Sequence, residues 1–74
     1  MPVGWAMTMA NLGVARKTLA EQTKDVQIAR QAVTDFAAVS EVFRNASHAQ
    51  YYELSEEQRA KTLKILAELG GDHT

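Results

Sequence analysis

Apolar positions recur three and four residues apart through most of this chain, and no stretch alternates in the way of a strand. Three segments carry the helical spacing. In the first, over residues 3–20, Trp5, Met9, Leu12 and Leu19 fall at helical intervals with Ala15 between them. The second, over residues 25–45, carries two stripes. Val26, Ala29, Val33, Phe36, Ser40 and Phe43 form one; Ala32, Val39, Val42 and Ala46 form the other. A helix apolar on two sides needs neighbours on both, and the first and third segments are available to supply them. The third segment ends convincingly in Leu63, Leu66 and Leu69 with Ile65 beside them. Its middle is weaker, because Glu56 and Arg59 lie along the stripe joining Tyr52 to Leu63. The pattern predicts an all-α fold of three helices, over residues 3–20, 25–45 and 48–69.

Helix boundaries follow from local chemistry. Pro2 suits the first turn of the first helix, where no backbone donor is needed. In the polar gap Gln22-Thr23-Lys24-Asp25, either Thr23 or Asp25 can cap the second helix by accepting from its free amides. The start of the third helix has two solutions. Ser47-His48-Ala49-Gln50 fits a capping box and starts the helix near residue 48; Ser55-Glu56-Glu57-Gln58 fits as well and starts it at Glu56. Residues 49–54 contain no breaker, which favours the earlier start. Gly70-Gly71 ends the helix, and the tail over residues 70–74 is expected to fray. Gly13 lies inside the first helix, where it costs ~1 kcal/mol relative to alanine. Its presence there is read as a place where another helix passes close by.

Composition narrows the setting. Seventy-four residues make a single domain over residues 1–74. A domain of this size is marginal alone. It has no cysteine, so disulfides and thiolate zinc sites are excluded. Tight helix packing or association with another chain is left to stabilise it. The net charge of −1 gives no basic footprint for nucleic acid and no polybasic membrane signal. No apolar run approaches the ~20 residues that span a bilayer. Residues 1–10 are not preceded by a positive region, so no signal peptide is expected. The expected compartment is the cytoplasm, and the sequon Asn45-Ala46-Ser47 is read as coincidence.

Candidate chemistry is sparse. His48 and His73 are the only imidazoles, and neither has a serine or aspartate partner at motif spacing. No catalytic residue and no cofactor is expected. Glu53, Glu56 and Glu57 cluster near His48, which leaves an alternative: a small helical dimeric enzyme or metal-binding protein. The plainer interpretation is an acidic first turn favoured by the helix dipole, and no Glu-x-x-His or His-x3-His spacing occurs. Tyr51 and Tyr52 point about 100° apart on a helix, so one can pack inward while the other stays exposed as a contact residue.

One combination is more specific. Asn11-Leu12-Gly13, then Ala32 and Phe36, resembles the tetratricopeptide repeat, whose motif has Leu-Gly in its first helix and a small residue followed by an aromatic in its second. Met9 also matches, and Val39 replaces the usual small residue. The segment from Leu19 to Ala29 is longer than a standard repeat of about 34 residues permits. The chain is similar in this respect to a longer bacterial variant, since Pro2, Trp5, Ala6, Asn11, Leu12 and Gly13 fit its Pro-x-x-Trp-Ala…Asn-Leu-Gly opening. The resemblance covers a repeat over residues 2–46 and a closing helix over residues 47–69. It implies a non-catalytic protein–protein interaction module, a scaffold or adaptor. It also implies a groove lined by Met7, Ala10, Asn11, Val14 and Lys17, with Asn11 placed to bond a ligand backbone; the outward tyrosine, Tyr51, is a further contact. About three repeats are needed for a stable array. A single repeat therefore leaves one face of the first helix uncovered. The chain is then either the terminal piece of a longer repeat protein or a small protein that self-associates, most economically as a two-fold dimer through Met7, Ala10 and Val14.

Overall fold

The computed structural model describes residues 3–70 and consists of three helices: α1 (Val3–Thr23), α2 (Val26–Asn45) and α3 (Ala49–Glu68). No strand occurs among the described residues. Pro2, Gly71 and most of the tail expected to fray lie outside them. No helix among the described residues is long and apolar enough to cross a membrane.

The same device closes all three helices. Each ends in a residue with positive φ: Lys24 at 55°, Ser47 at 59° and Gly70 at 81°. After α2, the His48 amide donates to the Phe43 carbonyl at 2.9 Å and the Ser47 amide to Arg44 at 3.2 Å. This is the Schellman pattern, which satisfies carbonyls the helix end leaves open. After α1, the Asp25 amide likewise reaches the Ala20 carbonyl at 3.2 Å. Asp25 then caps α2, its carboxylate accepting from the amides of Gln27 and Ile28 at 2.9 and 3.2 Å. Thr23, the other candidate cap, donates instead to the Leu19 carbonyl. The third helix takes the earlier of its two starts. Its N-cap is His48, whose side chain makes no capping bond. Ser47 belongs to the preceding turn, so the capping box built on it does not form. Ser55 is buried in mid-helix and donates to the Tyr51 carbonyl at 2.8 Å.

α2 is the central element. It packs against both α1 and α3, while α1 and α3 barely touch each other. The two stripes read along α2 thus find two neighbours. Val39, Val42 and Phe43 join Ala6 in one core cluster, with Trp5, Met9, Ala10 and Tyr52 against it. Ala29, Ala20 and Leu66 form a second, flanked by Val26, Val33 and Leu69.

The expected stripe of α1 needs correction. Leu12, Ala15 and Leu19 are exposed, and the residues that face α2 are Ala6, Gly13 and Ala20, seven apart. Small side chains occupy this face because they leave room for the larger side chains of α2. At Gly13 the Phe36 ring sits against the helix, and a Cβ would lie 2.9 Å from Phe36 Cε1 and Cζ. The larger Leu12 and Leu19 are turned one position around the helix, onto its flank. α3 repeats the substitution of small for large. Ser55 and Thr62 are buried against α2 along with Leu66, whereas Leu63 is exposed. Both hydroxyls are satisfied within the helix, Thr62 donating to the Gln58 carbonyl at 2.7 Å, so burying them leaves no orphaned donor.

Candidate interaction groove

Because α1 and α3 stand apart on the same side of α2, an apolar groove opens between them. Its floor is formed by Phe36 and Phe43 from α2. Met7, Ala10, Asn11 and Val14 build the α1 wall; Tyr51, Leu54, Ser55 and Gln58 build the α3 wall. The cavity measures about 210 Å³. Every residue around it is uncharged. Seven large apolar side chains are exposed among the described residues, and four of them (Met7, Val14, Tyr51 and Leu54) surround this groove.

The sequence-derived contact residues are therefore brought together. Met7, Ala10, Asn11, Val14 and Tyr51 share one groove, and α3 contributes the opposite wall. Lys17 does not line it. Its ammonium reaches across to Gln58 Oε1 at 2.8 Å and ties α1 to α3. Tyr51 is the outward tyrosine and Tyr52 is half-buried against the core. The Tyr51 ring stacks on Phe43 with centroids 5.2 Å apart, and His48 meets Phe43 edge-on at 6.1 Å. These contacts hold the groove's aromatic end in place.

Leu54 was missed by sequence reasoning. It has the highest exposure of the large apolar residues, 49%, and lies off the stripe that ends in Leu66. An apolar side chain on the wrong side of an otherwise polar helix was the available signal.

The cluster weighed for metal or acid–base chemistry does not converge. Glu53 and Glu57 are exposed, and among the described residues no three His, Asp or Glu side chains gather as a metal site. Glu57 pairs with Lys61 at 3.1 Å. Glu56 is held by Arg59 through two bonds of 2.9 and 3.1 Å. Arg59 keeps the Glu56 carboxyl below its ordinary value of 4.5, and Ser40 assists. The Ser40 hydroxyl is buried and falls short of full hydrogen-bond geometry, so its part in this is a loose approach to the carboxylate. His73 lies outside the described residues.

Sequence reasoning also missed an ion pair between helices. Arg16 on α1 donates to Asp35 on α2 at 2.7 Å, and the Asp35 side chain is only 9% exposed. Trp5 sits half-buried beside Val42 in a second depression between α1 and α2, of about 500 Å³, which Glu41 and Asn45 also line.

No protein-family model matches this chain, and neither the curated proteins nor the solved structures include a match.

Proposed function

We propose that this chain is a non-catalytic protein–protein interaction module of tetratricopeptide-like build, a scaffold or adaptor acting in the cytoplasm, and that it self-associates. The observation that carries this reading is the uncharged groove between α1 and α3. Exposed apolar side chains gathered around one uncharged groove are costly to leave in water, and they favour a contact site there. At about 210 Å³ the groove is below the 300 Å³ or more typical of small-molecule pockets. It suits a few apolar side chains of a partner helix better than an enclosed ligand. Asn11 on its wall supplies an amide for a partner backbone, the role its position has in the family the chain resembles.

Light scattering coupled to size exclusion tests the proposal. A dimer is expected at micromolar concentration, and Leu54→Glu should convert it to a folded monomer. A wild-type protein that runs as a stable monomer throughout that range removes the self-associating part of the reading.

A further inference from the structure

The two ends of the groove differ in charge, and the difference bears on what can fill it. The chain turns back twice, so α1 and α3 run the same way. At one end the Tyr51 ring is stacked on Phe43. At the other, Lys17 follows Val14 by three residues on the same face of α1, and its ammonium reaches Gln58 on the opposite wall. Lys17 is half-buried, and that bond goes to a neutral amide. Arg16, Arg44, Arg59 and Lys61 each hold a carboxylate, whereas Lys17 makes no ion pair among the described residues. Glu21, one turn further along α1, is exposed and takes part in none of these pairs. The groove is thus an uncharged trough with a cation lacking a counter-ion at one end.

Whatever covers the trough as far as Gln58 also draws water away from Lys17. An occupant that is apolar throughout strands that charge, which is costly. One that brings a carboxylate supplies the missing pair, and an ammonium has three donors, so the Gln58 bond can remain. The walls, Met7 to Val14 and Tyr51 to Gln58, each advance seven residues, or about 10 Å. That length matches two turns of a helix presenting apolar side chains at i, i+4 and i+7. We propose that the groove binds an amphipathic helix of another protein, with three apolar anchors over the Phe36–Phe43 floor and an Asp or Glu one turn beyond them paired with Lys17. The inference rests on the interaction-module reading, names the partner's chemistry and is independent of self-association.

Stapled helical peptides, titrated with the full chain and read by fluorescence anisotropy, test the proposal. Each carries Leu at i, i+4 and i+7; one set adds Glu at i+11 and the other at i−4, since the helix can enter in either direction. One Glu probe should bind. Its Gln version should be at least about fivefold weaker, and its Lys version at least about tenfold weaker, because like charges then meet. Lys17→Glu should reverse that order. Lys17→Met, which keeps the stem and folds even where the charge reversal does not, should flatten it. Leu54→Glu should remove binding of every probe. Glu, Gln and Lys probes that bind alike, or an order that survives substitution of Lys17, overturn the proposal. If no probe binds while the wild type dimerises, the groove belongs to a second copy and the partner helix is wrong. If no probe binds and the wild type is monomeric, the interaction-module reading beneath it falls as well.

Discussion

At Gly13 the helix tolerates a residue that weakens it, because nothing larger fits. The Phe36 ring beside it is 1% exposed, and a Cβ 2.9 Å from its edge must displace it. Alanine at this position gains ~1 kcal/mol of helix propensity but forces a displacement that costs about 1–3 kcal/mol. Gly13→Ala should therefore lower the melting temperature; an increase would show that Phe36 can give way. The opposite substitution applies at the turns. Lys24 and Ser47 occupy left-handed backbone where glycine carries no Cβ penalty. Lys24→Gly and Ser47→Gly should each stabilise by about 0.5–1 kcal/mol, as read from urea denaturation midpoints. A loss of stability in both would mean that those side chains make contributions larger than their strain.

Between elements, α1 is fixed to α2 by small-residue contact and by one ion pair. Asp35 is buried and depends on Arg16 for its charge balance. Arg16→Met should cost about 2 kcal/mol, since it leaves a carboxylate in the interface without its cation. Adding Asp35→Leu to that variant should recover most of the loss, because the buried charge is gone. A double variant no more stable than the single one would assign the cost to lost packing by the Arg16 stem instead. On the other side of α2, the Glu56–Arg59 pair on α3 introduces a pH dependence. The folded-state pKa of Glu56 is depressed, first by Arg59 and then by Ser40. Its contribution is therefore fully present above the ordinary value of 4.5 and is lost as the pH falls through the lower folded value. The stability difference between wild type and Glu56→Gln should shrink on acidification below 4.5, and it should be modest, because the pair is partly exposed. A difference that grows in acid would reverse the sign and contradict the pairing.

For the whole molecule, the layout is one helix with two partners that do not cover each other. Two small core clusters lie at opposite ends, and the groove opens between them. Association that buries the groove adds stability by mass action. The melting temperature should then rise with protein concentration in wild type and stay constant in Leu54→Glu. A concentration-independent wild type would mean that the three helices are sufficient alone.

Much of this was legible along the chain. Helical periodicity, the gap near residue 24 and the terminal glycine marked out three helices, because these signals depend on neighbours within one or two turns; two capping boxes left the start of α3 open between residues 48 and 56. The double stripe of α2 announced a central helix for the same reason. The face of α1 was legible only in part: Trp5 and Met9 pack against the core as their spacing predicts, but hydrophobicity also favours Leu12 and Leu19, while contact here is decided by which positions leave room for side chains of α2. Ala6, Gly13 and Ala20 carry little apolar surface and won the interface by being small. The Arg16–Asp35 pair and the Lys17–Gln58 tie join residues 19 and 41 positions apart, distances over which a one-dimensional pattern holds no record. Sequence by itself determined that the chain forms three helices and where the first turn falls; only the tertiary arrangement decided which faces met, and so which apolar side chains were left lining an open groove.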